Sequence, residues 1–110
     1  MIIGCDFGIT NTDVVLRKSD GSERFFSFAS NQVNGEISVV IDLLGNQIDF
    51  ATIEKICVTG GKSSDLPKEF LKKEVLHVNE IFAIGNGARK IYQFQDNALI
   101  VSTGSGTTCV

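Results

Sequence analysis

Tryptophan is absent from this 110-residue sequence, and proline, histidine, tyrosine and methionine occur once each. The lone histidine, His77, has no neighbour at metal-ligand spacing and reads as a core or edge residue of a strand. The three cysteines, Cys5, Cys57 and Cys109, are far apart and each sits in an apolar, strand-like run. They read as buried free thiols in a reducing, cytoplasmic compartment rather than as a disulfide or a metal site. No apolar run approaches the roughly 18 residues of a membrane span, and no signal peptide is visible. An excess of positive charge is also lacking. The net charge of −3 argues against a general nucleic-acid or anionic-membrane binder. What is present is ordinary for a globular chain, with 43% hydrophobic and 21% charged residues. The length allows one domain, burying roughly 65% of its unfolded surface.

Hydrophobic patterning predicts an α/β chain. Residues 1–7 read as a strand, 8–12 as a turn and 13–18 as a second strand. The Asp20-Gly21 step predicts a hairpin into a third strand over 23–30, with Phe26 and Phe28 on one face. A single helix follows, capped by Ser30 or Asn31, with Val33, Ile37, Val40, Ile41 and Leu44 at helical spacing and Gly45-Asn46 at its end. Residues 48–54 predict a short helical turn, 55–61 a buried strand closed by Gly60-Gly61, and 62–73 a loop with a short helix. Residues 74–79 predict another strand. Asn79 caps a helix to about Gln93, with Ile81, Ile84, Ala88 and Ile91 on one side. Residues 98–110 predict strand, glycine turn and strand. Phe25, Phe26, Phe28, Phe50, Phe70 and Phe82 read as core. Asp49, Asp65 and Lys62 read as surface residues. The order is a three-strand antiparallel meander extended by parallel strands with helices between them, the ribonuclease-H-like layout.

Two stretches share one design. Asp6-Phe7-Gly8-Ile9-Thr10-Asn11-Thr12 and Ser102-Thr103-Gly104-Ser105-Gly106-Thr107-Thr108 each follow an apolar strand with glycine and hydroxyl residues. Glycine lets backbone N–H groups approach a phosphate, and hydroxyls add donors. Asp6, at its strand end, suits a water-mediated Mg²⁺ contact. The plainer alternative is two polar hairpin turns. Glu80, at a helix start, reads either as a carboxylate favoured by the helix dipole or as a general base. Gly60 and Gly61 read either as a tight turn or as a backbone surface open to a substrate at a strand's carboxyl end.

The paired turns in this element order resemble those of the actin-like ATPase superfamily, which includes acetate and sugar kinases, actin and heat-shock chaperones. Within it the motif order is most similar to type II (Fumble-type) pantothenate kinases. Asp6-Phe7-Gly8-Ile9-Thr10 is similar to their first phosphate turn, "CVTGG" at 57–61 to their Thr-Gly-Gly strand end, "HVNE" at 77–80 to the approach to their catalytic glutamate, and Gly104-Ser105-Gly106 to their second phosphate turn. Ile9 and Asp13 stand where that family carries glycine and lysine.

The resemblance implies a ribonuclease-H-like N-terminal domain over 1–97, with 98–110 beginning a second domain. It implies ATP and Mg²⁺ as cofactors, a pantothenate-like small molecule as substrate and a first step of coenzyme A synthesis. Asp6 would then organise Mg²⁺ and the reacting phosphate. Gly8, Thr10, Asn11, Thr12, Gly104, Ser105, Gly106 and Thr107 would lie at phosphates, Gly60 and Gly61 at substrate, and Glu80 would take the hydroxyl proton. On this expectation the 110 residues alone turn over negligibly, and an unpaired strand edge favours a homo-oligomer. Two other readings stay open: a non-catalytic nucleotide-sensing or assembly module, and a subunit of activator-ATPase or hydantoinase type.

Overall fold

The computed structural model describes residues 1–93, 98–103 and 107–109. Three strands, β1 (Ile2–Phe7), β2 (Asn11–Arg17) and β3 (Glu23–Ala29), form the expected antiparallel meander. β4 (Lys55–Thr59) then lies parallel to β1, and β6 (Lys73–His77) parallel to β4. With the short β5 (Glu69–Phe70), the order across this six-stranded mixed sheet is β3-β2-β1-β4-β6-β5. β7 (Val101–Thr103) and β8 (Thr107–Cys109) pair antiparallel as a separate two-stranded sheet.

Alternation along the strands sends one set of side chains to each face of the main sheet. On the first face Ile3, Cys5, Phe7, Val14, Leu16, Ile56, Val58 and Val75 are buried. α1 (Ser30–Val33) and α2 (Ile37–Leu44) contribute Val33, Ile37, Val40 and Leu44 to the same core. Phe26, Phe28, Phe50 and Phe70 pack against it half-buried. The second face carries Gly4, Asp6, Asp13, Val15, Cys57 and Thr59, and α3 (Glu80–Tyr92) lies near it.

Three expectations are corrected. The helix predicted over residues 31–44 is broken in two, because Asn34 and Gly35 both take positive φ (56° and 67°). Asn34 caps α1 in the left-handed conformation, where a short polar side chain is tolerated. The short helix predicted within 62–73 is replaced by a hairpin, in which Leu71 and Lys72, at φ 47° and 66°, turn β5 into β6. Such a two-residue turn needs positive φ at both positions, a demand that Leu and Lys do not advertise. Phe25 and Phe82 are not core residues. They are 74% and 68% exposed, because β3 is an edge strand and α3 buries no residue.

His77 is an exposed strand-end residue whose Nε2 lies 3.3 Å from the Pro67 carbonyl oxygen. No helix among the described residues is long and apolar enough to cross a membrane.

Candidate functional site

The carboxyl ends of the parallel strands gather most of the residues singled out by sequence. β1 ends at Asp6-Phe7, and the connection to β2 is only Gly8-Ile9-Thr10. The Gly8 N–H is engaged inside the turn, at 3.1 Å from both the Asp6 and the Asn11 carbonyl oxygens. A Cβ on Gly8 would stand 2.6 Å from the Asn11 oxygen, so this tight closure excludes any larger residue. Ile9, at the apex, is 61% exposed.

Asn11 and Thr12 belong to β2 rather than to the turn. Asn11 is exposed, whereas Thr12 is buried on the core face at 1% exposure. Thr12 holds the turn from below. Its Oγ1 lies 3.0 Å from Ser30 Oγ, and Ser30 Oγ donates to the Gly8 carbonyl at 2.7 Å. With the Ser30 proton so used, the Thr12 hydroxyl is the donor of that pair. The Ser30 N–H donates to the Thr10 carbonyl at 2.9 Å. Ser30, expected only as a helix cap, is thus the brace that ties α1 to the turn.

The Gly-Gly corner docks on the same strand end. Gly60 has φ +98°, and a Cβ there would stand 2.5 Å from Asp6 Oδ1 and 2.6 Å from the Phe7 oxygen. The Lys62 N–H donates to the Phe7 carbonyl at 3.2 Å. Gly61 faces open space. After β6, the Val78 N–H donates to the Val58 carbonyl at 2.8 Å, which carries the chain to Asn79. Asn79 Oδ1 accepts from the N–H groups of Ile81 and Phe82 at 2.9 and 3.4 Å, the expected cap. Glu80 therefore opens α3 at its positive dipole end.

Asp6 pairs with Asp13 on one side and Thr59 on the other. Its carboxyl is pushed above the usual range, first by burial, then by the negative charges of Glu80 and Asp13. A divalent cation would relieve this repulsion, so Asp6 fits a site that takes up positive charge with its ligand. Among the described residues, no group of three or more His, Cys, Asp or Glu side chains is placed to hold a metal directly. A cation here would rest on Asp6 through water.

The raised value has a measurable consequence. The unfolded carboxyl ionises near about pH 4, the folded one higher. The contribution of Asp6 to stability is therefore fully present below that pH and is lost as pH rises through its folded pKa. Asp6→Asn is expected to melt above the parent chain at pH 7, with the gap closing near pH 4. Thermal melts across pH test this, and an Asn variant melting at or below the parent at pH 7 would refute it.

The structure thus brings together Asp6, the 8–10 turn, Gly60 and Glu80. Ser30 as a brace and Thr59 carry no local signal in the sequence, whereas Gly4, which lets Val15 pack against the strand, is marked as a glycine inside an apolar run. Gly104, Ser105 and Gly106 lie outside the described residues, and Thr107 begins β8. No family model matches the chain, and no curated protein is significantly similar to it.

Proposed function

We propose that this chain carries the phosphate turn and the acceptor-side base of an ATP-dependent small-molecule phosphotransferase of the actin-like ATPase type, with pantothenate as the acceptor suggested by resemblance. The observation that carries the reading is the convergence of Asp6, the glycine turn and Glu80 at one end of the sheet. Phosphoryl transfer needs positioning and charge neutralisation more than covalent help. Asp6 would hold Mg²⁺ through water, the 8–10 turn would face the nucleotide phosphates, and Glu80 would accept the proton of the attacking hydroxyl. The sheet order, a meander followed by parallel strands, supports the ribonuclease-H-like reading. When bound, Mg²⁺ would supply charge neutralisation on the transferred phosphate.

A second reading, nucleotide sensing without transfer, draws on Ile9 at the turn apex and on Asp13 opposite Asp6. Calorimetry with a non-hydrolysable ATP analogue, Mg²⁺ and pantothenate separates the two. Binding of both ligands is the expected result. Nucleotide alone favours sensing, and binding of neither removes both readings.

A further inference from the structure

Between the second face of the sheet and α3 lies a cavity of about 660 Å³, within the size range of small-ligand pockets. Its floor is one row across four strands. Phe25 pairs with Val15, Val15 with Gly4, and Gly4 with Cys57. Val15 packs against Gly4 in the middle of this row, its Cγ1 standing 2.9 Å from where a Cβ would be. The roof is Ala83 and Ile84. α3 is held over the sheet at its far end by the ion pair between Lys90 and Glu23.

The next row, Ser27, Asp13, Asp6 and Thr59, closes one end of the cavity together with Glu80. Three carboxylates line that end, and among the described residues no Lys, Arg or His lines the cavity. Thr59 Oγ1 is buried without a hydrogen-bond partner among the described residues, and Thr59 is part of the lining. A polar atom left this way is open to a hydrogen bond with water or with a ligand group that reaches it.

We propose that this cavity binds the body of a small amphipathic molecule: an apolar chain on Val15, Phe25 and Ile84, leading to a head group that donates hydrogen bonds and carries no negative charge. Its assignment to the phosphate acceptor rests on the phosphotransferase reading; its occupancy does not. An anionic acceptor enters with its hydroxyl end first and its charged end outside. Three carboxylates with no opposing cation among the described lining residues repel an anion, whereas an alcohol or ammonium group donates to them.

Cys57 reports on the cavity. Half-buried in its wall, it lies between Lys55 and Lys62, so trypsin releases it apart from the other two thiols. The experiment is alkylation of Cys57 by iodoacetamide, read by mass spectrometry, with 1-hexanol, hexylammonium or hexanoate present. At roughly four times its dissociation constant a ligand fills about four-fifths of the sites, so protection is roughly fivefold. Hexanol and hexylammonium are expected to reach it, and hexanoate to give less than half at the same concentration. Ala83→Phe, which fills the roof, is expected to abolish hexanol protection.

Equal protection by hexanoate, or none by any probe, overturns the proposal without need of the variant. A parallel titration with the Mg²⁺ complex of the ATP analogue keeps the readings apart. Protection by hexanol with no nucleotide binding upholds the cavity and removes phosphoryl transfer. Nucleotide binding with no protection does the reverse.

Discussion

Replacing Gly60 with alanine is expected to lower the melting temperature by more than ~10 °C, the largest effect of any conservative change at the site. Two costs add. The residue sits at φ +98°, a conformation that L side chains adopt only under strain. An alanine Cβ would also press on the Phe7 carbonyl group, with 2.6 Å to its oxygen and 2.7 Å to its carbon. These are backbone atoms at the end of the central strand, so relief requires moving β1 or opening the corner. Strain and overpacking together amount to about 2–5 kcal/mol, a large share of the ~5–15 kcal/mol that holds a domain folded. The same close approach positions Asp6, whose Oδ1 is 2.5 Å from the added atom. Gly61→Ala is the control. Its Cβ meets nothing, and its φ is not in the left-handed region, so it should melt within a degree or two of the parent. Equal effects at the two positions, read by thermal denaturation, would refute the packing account of this corner.

Ser30→Ala is expected to destabilise the chain by about 1–3 kcal/mol and to loosen the turn at residues 8–10. The serine is 4% exposed and its hydroxyl serves two partners, the Gly8 carbonyl and the Thr12 hydroxyl. Alanine removes a donor and an acceptor at once and strands both partners where water has little access. The buried pair provides its own check. Thr12→Val with Ser30→Ala leaves only the Gly8 carbonyl unpaired, so the double variant should lose less than the sum of the singles. Additive losses in urea denaturation would mean that the two hydroxyls do not act together. Nucleotide binding should weaken in Ser30→Ala under conditions where the chain stays folded, because the turn loses its attachment to α1.

Much of this architecture is visible in local pattern. Continuous apolar runs bounded by turn residues define β1, β2 and β4, and Asn79 followed by Glu80 marks the start of α3. Where the chain departs from expectation, a distant contact or an unadvertised conformation decides. Asn34-Gly35 breaks the helix over an apolar spacing that runs on across it, and the two-residue β5 exists only through pairing with β6. Phe25 and Phe82 carry core-like side chains, but exposure depends on which layers cover an element, and that is a tertiary property.

At the site, residue types pointed to Asp6, Gly8, Gly60 and Glu80, while orientation came from pairing. Thr12 falls on the buried face because it pairs with Phe7 and alternates in step with buried Val14 and Leu16. The role of Ser30 is invisible without the packing of α1 against the turn, and the cavity appears only once Gly4, Val15 and Cys57 are known to share a row.

The central claim is that the Asp6 end of the sheet binds the phosphates of a nucleotide. Backbone amide shifts, followed by NMR while the Mg²⁺ complex of a non-hydrolysable ATP analogue is titrated in, test it most directly. The expected result is saturable shifts clustered at residues 8–12, at Gly60 and Gly61 and at Glu80, lost in Asp6→Asn and on chelation of Mg²⁺. Shifts confined to α2 and the far ends of the strands, or none at saturating nucleotide, would contradict it.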